Sequence, residues 1–380
     1  MERKTVKIPS ATPGWNLDAW QYFPTTPATA LPPVIIMANG FSCTKKMGLS
    51  EFAEAFAEHG YASVVFDYRR WGDSDGMPRC VQDYREQRAD YRSVIRWARA
   101  QGIYDNNRLV VWGYSYAGGH SIVMAGEEAM DVAAAIAFRP YVGESSNYST
   151  KHLAVMLFHA ILDAAKQAVG LSPHYIEVAG RNRFLFGEDS VAALQKLGAN
   201  GGWENKVTAS SLFPMTQNRP VDRAQKIRCP TLLIAAENDK MCIFEGQLQV
   251  AAESAKVELV AVRGGHWDAN AGCPDFEEQL TMMLKFLEKQ VPRILEVYAT
   301  STELVTMLAM MPDIALGGLH EFEPHCTREW QIFQSDVQAF MHLMARMPAL
   351  RVLTISEMFG HYVLRALTEG DGLVPTLANC

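Results

Sequence analysis

Three side chains of this 380-residue chain, met in the order Ser115, Asp239 and His266, have the types and surroundings that nucleophilic acyl chemistry needs. A serine hydroxyl attacks a carbonyl only when a base takes its proton and a third group orients that base. Ser115 sits in Gly113-Tyr114-Ser115-Tyr116-Ala117-Gly118, after an apolar run at 108–112 and before a small-residue helix start at 119–124. A strand that turns sharply into a helix strains the backbone at the serine and lifts its hydroxyl above the sheet, so the flanking residues must be small. Gly113 and Ala117 supply those flanks. Glycine is the usual residue where Ala117 stands, and Gly118 with Gly119 keeps the helix start slim. Taken alone, a Gly-x-Ser-x-Ala string equally describes a serine capping a helix. The two partners decide between these readings.

The run 230–236 reads as a fully buried strand, and Glu237-Asn238-Asp239-Lys240 is the polar loop at its end. Asp239 therefore falls at the carboxyl end of a strand, where open α/β sheets keep their functional groups. A second buried run, 257–262, ends in Arg263-Gly264-Gly265-His266-Trp267-Asp268. The glycine pair is expected to let the backbone turn freely and bring His266 back toward Ser115. Nucleophile, acid and histidine then follow in the order of a strand-end triad. Asp268 is too close to His266 in the chain to serve it, and Glu237 sits earlier on its strand, so Asp239 is the preferred acid.

The elements that must position these groups alternate along the chain. Strands are expected at 5–8, 18–23, 33–38, 63–68 and 132–138, with helices at 46–59 and 81–100. Such alternation implies a doubly wound, mostly parallel sheet. It stops between residues 141 and 220, where helices are expected at 150–169 and 175–197 before the glycine-rich stretch 198–202. Met156, Leu157, Phe158, Ile161, Phe184, Leu185, Phe186, Leu212, Phe213 and Met215 make this region apolar. They would either line a pocket for a lipophilic acyl chain or hold a cap on the core. A helix at 274–291 completes the core. Beyond it, Met- and Leu-rich helices are expected at 293–310, 328–347 and 355–367; wrapping the core, extending the cap and forming an oligomer contact are the open uses. The organisation expected is thus a core in two parts, 1–140 and 221–291, a helical cap at 141–220, and a helical extension of unknown role at 292–380.

The segment 34–142 resembles an α/β-hydrolase-fold enzyme of the dienelactone-hydrolase-like or YcjY-like branch. It is particularly similar to the polyketide transferase family of fungal secondary-metabolite clusters. The residues that carry the resemblance are Asn39-Gly40-Phe41, the run Phe66-Asp67-Tyr68-Arg69-Arg70-Trp71-Gly72-Asp73-Ser74-Asp75-Gly76, the turn around Ser115, and Gly264-Gly265-His266-Trp267-Asp268. It extends over about 5–291. The resemblance implies Ser115 as nucleophile, Asp239 as acid and His266 as base, with the backbone N–H groups of Phe41 and Tyr116 as the oxyanion hole. Many relatives carry histidine where Asn39 stands; a main-chain donor tolerates that exchange. Dienelactone hydrolases proper use cysteine, and haloalkane dehalogenases aspartate, at the position of Ser115, so neither activity is expected.

Composition narrows the classes further. A net charge of −7 and a pI near 5.8 leave no basic stripe for nucleic acid. The N-terminus has no apolar leader, and the longest apolar helix, 153–169, carries His159, Asp163 and Lys166, so no membrane span is expected and the cytoplasm is the expected compartment. Seven scattered cysteines without a Cys-x-x-Cys pair fit a reducing compartment. No cofactor and no metal are expected. His152 and His159 lack a third ligand, and His320, Glu321, His325 and Cys326 match no metal spacing and read as a loop. The expected function is a serine acyl hydrolase acting on an ester, lactone or thioester of a lipophilic acyl or polyketide substrate. An acyltransferase or cyclase that releases a polyketide, free or carrier-protein-bound, is the alternative. A catalytically silent binding module is disfavoured by the intact triad order, and a serine peptidase by the lack of a propeller-like domain before the core.

Overall fold

The computed structural model describes residues 2–24, 31–143, 149–180, 186–199, 203–273 and 275–291, together with four short strands of the C-terminal segment. Strands β1 (Glu2–Pro9) and β2 (Asn16–Phe23) open the chain, followed by β3 (Val34–Ala38), α1 (Ser50–Glu58), β4 (Ala62–Phe66) and α2 (Tyr84–Ala100). Then come β5 (Leu109–Tyr114), α3 (Tyr116–Ala125) and β6 (Ala134–Phe138). An insertion carries α4 (Thr150–Ala168), β7 (Tyr175–Ile176), α5 (Glu188–Gly198), β8 (Val207–Thr208) and α6 (Leu212–Gln217). The core resumes with β9 (Thr231–Ala236), α7 (Phe244–Glu253), β10 (Val257–Val262) and α8 (Phe276–Gln290).

Eight strands form one sheet in the order β1-β2-β4-β3-β5-β6-β9-β10. The pairs β1–β2 and β2–β4 are antiparallel, and every later pair is parallel. Strands β3, β4, β5, β6 and β9 are buried at every position, as sheets covered on both faces require. Alternate side chains feed two cores. Val34, Ile36 and Val111 pack on one face with Tyr91, Val94 and Ile122, and Ile35, Met37 and Trp112 on the other with Phe52, Met283 and Phe286. Because β3 lies between β4 and β5, the strand order reverses there, and the crevice above the carboxyl ends of β3 and β5 is where such sheets bind ligands.

Two sequence expectations change in the insertion and beyond it. The stretch expected as one helix from 175 to 197 begins instead as a strand. Tyr175 and Ile176 pair with Thr208 and Val207, Gly180 breaks the path at φ +153°, and the helix starts only at Glu188. An aromatic next to a β-branched residue prefers the pleated surface. In the C-terminal segment, Arg293–Tyr298 is a strand where apolar spacing suggested a helix, and Leu319–His325 places His320, Glu321 and His325 in a strand, not a loop. With Val352–Leu353 and Thr376–Leu377 they form β11 to β14 of a parallel sheet in chain order. The remainder of the helices expected at 293–310, 328–347 and 355–367, and Cys326, lie outside the described residues.

Candidate active site

Ser115 follows β5 with φ 57° and ψ −116°, a strained backbone for a residue with a side chain. The glycines around it are there for room. A Cβ on Gly113 would lie 2.0 Å from the Ala117 carbonyl oxygen, and one on Gly119 would lie 2.2 Å from the Tyr141 oxygen. The tight side of the turn is thus at 113 and 119, which is why alanine is accepted at 117. The Ser115 N–H donates to Phe138 O at 2.8 Å. Its carbonyl accepts from Gly119 N at 3.2 Å and Tyr141 N at 2.9 Å.

Asp239 and His266 meet above the same sheet edge. Asp239 Oδ2 lies 2.6 Å from His266 Nδ1. Its Oδ1 accepts from the backbone N–H groups of Met241 at 2.8 Å and Cys242 at 2.9 Å. Burial opposes ionisation of this carboxyl, yet the His266 ring and the two N–H donors hold it below the usual carboxylate range. The Tyr114 hydroxyl donates to the His266 carbonyl, and the two rings stack at 5.2 Å. With Nδ1 engaged by Asp239, the buried Nε2 is left without a partner among the described residues. Asp268 instead accepts from Gly265 N at 2.7 Å, and Glu237 is exposed. Gly264 leaves room for the Asp275 carboxylate, whose Oδ2 lies 2.4 Å from where a Cβ would be. Neither glycine of that pair has the positive φ that free turning would have required.

The turn after β3 closes over Ser115. A Cβ on Gly40 would come within 2.8 Å of Ser115 Cβ, so only glycine fits there. Asn39 shapes this turn with its side chain: Nδ2 donates to Thr44 O at 3.0 Å and Met47 O at 2.8 Å, and Oδ1 accepts from Gly40 N at 2.8 Å. Phe41 and Tyr116 flank the serine, their rings edge to face at 5.7 Å. Behind the turn, the fully buried Lys45 ammonium sits 2.6 Å from Asp67, 2.7 Å from Asp18 and 3.0 Å from Asp73. Gly72 leaves room for the Asp67 carboxylate, 2.1 Å from where its Cβ would be. This accounts for the Asp67 to Ser74 run that carried the resemblance but suggested no role.

Sequence reasoning missed Cys242. Its Sγ lies 3.9 Å from Ser115 Oγ, and its ligand atom falls within 4.8 Å of those of Asp239 and His266. The only signal was its place three residues after Asp239 on the same loop. Of the apolar insertion residues, Phe186 reaches the site, its ring 5.8 Å from Phe41. Met156 and Leu212 are buried in the core, whereas Leu157, Phe158 and Ile161 are exposed. Phe184 and Leu185 lie outside the described residues. His159 Nδ1 meets His174 Nε2 at 2.8 Å, away from the triad. A cavity of about 10 Å3 remains above Ser115, lined by Gly40, Phe41, Cys43, Phe186, Met241 and Trp267 besides the triad side. That is about the least space that holds one water.

A mostly parallel doubly wound sheet with these strand-end groups defines an α/β-hydrolase-fold enzyme of the hydrolase or transferase type. Residues 14–268 match the family described as X-Pro dipeptidyl-peptidase (S15 family), and the chain belongs to it. It is 30% identical to the quorum-quenching protein AidA of Acinetobacter baumannii over 72% of this chain and 91% of that one. It is 27% identical to the polyketide transferase GrgF of a Penicillium species, covering 73% and 94%. A thiohydrolase of Eupenicillium brefeldianum is 28% identical, covering 72% and 91%. The crystal structure of the α/β hydrolase GrgF from Penicillium sp. sh18 superposes with a TM-score of 0.67 at 26% identity, covering 76% of this chain and 99% of that one. Among the described residues no helix is long and apolar enough to cross a membrane.

Proposed function

We propose that the protein is a serine acyl hydrolase that forms an acyl-enzyme on Ser115 from an ester, lactone or thioester of a lipophilic or polyketide acid. The observation that carries this reading is the 2.6 Å Asp239–His266 pair, whose free Nε2 belongs to the same cavity wall as the strained Ser115. His266 takes the Ser115 proton as Oγ attacks the acyl carbonyl, and Asp239 holds the imidazole in the tautomer that accepts it. The N–H groups of Phe41 and Tyr116 receive the oxyanion; one such donor is worth about two to three orders of magnitude in rate. His266 then returns the proton to the leaving group. In free enzymes the nucleophile–base hydrogen bond is often long and tightens around substrate.

A lining of Phe41, Phe186, Met241 and Trp267 suits an apolar acyl chain. Among the described residues this lining has no carboxylate for the free ammonium of an X-Pro dipeptide, and Asp239 is committed to His266. Transfer to an alcohol or amine, or ring closure, is the second reading. It is favoured by the relatives named polyketide transferases.

Intact-protein mass spectrometry after mixing with medium-chain acyl thioesters tests the proposal. An acyl adduct is expected on the wild type and not on Ser115→Ala, with faster decay in added alcohol if transfer prevails. An adduct that persists in Ser115→Ala, on Cys242 for instance, or no adduct and no turnover with any donor, would overturn it.

A further inference from the structure

Helix α4 keeps Met156, Ala160 and Asp163 inward. Asp163 ties it down, its carboxylate accepting from His174 N at 2.7 Å and Ser210 N at 2.8 Å. The opposite side of the helix faces solvent and is almost wholly apolar. Phe158 is 63% exposed, Ile161 55%, Leu153 50% and Leu157 51%, and the stripe runs past the helix end through Val169 at 72% and Leu171. From 153 to 171 the only ionisable side chains besides the inward Asp163 are His159 and Lys166, both half-buried. The exposed surface of its large side chains comes to roughly 800 Å2, more than the largest patch of a typical monomer and about one partner's share of a standard interface.

The spacing says what kind of surface covers it. Exposed Ala154, Phe158, Ile161, Ala165 and Ala168 recur at steps of four, three, four and three. That repeat of 3.5 keeps one seam against another helix. Sizes also alternate along the seam. In an antiparallel pair of identical helices, Ile161 falls opposite Ala165 and Phe158 opposite Ala168, each large side chain on a small one. A parallel pair would set Phe158 on Phe158 and leave Ala165 facing Ala165. A helix that lies in a lipid surface carries Lys and Arg along its polar border. This helix has only Lys151 and Lys166, in a chain of net charge −7.

We propose that a second copy of this chain covers the stripe, the two α4 helices packing antiparallel about a twofold axis, Ile161 of one on Ala165 of the other. The contact joins cap to cap on the side of α4 away from the core.

Sedimentation equilibrium of the full chain is expected to give twice the 42.3 kDa of one chain at micromolar concentration, and the doubly substituted Phe158→Glu, Ile161→Glu protein one chain's mass. Both side chains point to solvent, so the far-ultraviolet circular dichroism of that variant should match the wild type. Orientation is read by cysteine cross-linking. A mixture of Ile161→Cys and Ala165→Cys should yield a covalent dimer on mild oxidation, and Ala165→Cys alone should not. A wild type that stays monomeric at 100 µM, with or without flotation on neutral phosphatidylcholine vesicles, overturns the proposal. So does a dimer that survives the two glutamates. Self-linking of Ala165→Cys would refute the antiparallel arrangement.

Discussion

The two sides of the turn that carries Gly40 and Phe41 are built from opposite materials. Behind it, three carboxylates converge on the buried Lys45 ammonium, with the Trp20 ring 5.0 Å from the nitrogen. In front, around Ser115, the wall is Phe41, Phe186, Met241 and Trp267, and the Asp239 carboxylate pairs with His266. Charge fixes the rear because directional bonds to a buried ion resist displacement. In the proposed reaction, an apolar front would leave the developing oxyanion with few competing charges. The difference teaches that rigidity and selectivity are supplied here by different residues, so each can be changed without the other.

The largest effect is expected at the rear. Lys45→Met strands three carboxylates near one another, and losing one partner of a buried ion cluster typically costs about 3–5 kcal/mol. Urea denaturation should show the midpoint falling accordingly; an unchanged midpoint would mean that the cluster does not stiffen the turn. Gly40→Ala comes next and acts on the front alone. The added methyl lands 2.8 Å from Ser115 Cβ, so kcat should drop by about 10²–10³-fold, as when an oxyanion donor is lost, with a loss of stability smaller than that of Lys45→Met. Equal losses in both quantities would erase the distinction between the two sides.

Asp239→Asn bears on the front through pH. The folded state holds this carboxyl below its ordinary range, so its stabilisation is complete above that range and fades as pH falls through the lower folded value. The acid limb of melting temperature against pH should therefore be flatter in the variant; superimposable limbs would argue against the pairing. The smallest effect belongs to Phe186→Ala, which enlarges the cavity next to Phe41. Selectivity should move toward longer acyl chains by about tenfold or less in kcat/KM. A uniform loss across chain lengths would remove Phe186 from the selective wall.

The sheet was legible because buried strands such as 34–38 and 231–236 announce themselves as unbroken apolar runs bounded by turns. The placing of Ser115, Asp239 and His266 at strand ends followed from the same runs. The reason for each glycine did not. Gly264 looked like a hinge, and only three-dimensional proximity reveals that the Asp275 carboxylate occupies the space beside it. Cys242 was illegible because it shares a loop with Asp239 and nothing in sequence tells which side of that loop faces Ser115. The sequence left open whether the apolar residues of α4 line a pocket or hold the cap on the core, because an apolar helix looks the same in sequence whether its stripe covers a substrate, a core or another helix. At Arg293–Tyr298 short apolar spacing served helix and strand equally well.

The carbonyl of Ser115 accepts N–H groups from both its own helix and Tyr141, and Val221 N donates to Val142 O at 3.0 Å. Ser115 therefore shares its anchorage with the two roots of the insertion. Any swing of the cap to admit an acyl chain must have its fulcrum beyond Val142 and before Val221, leaving the Tyr141 and Val221 amides among the last of that region to exchange with deuterium. The doorway can move without disturbing the pivot on which the serine rests.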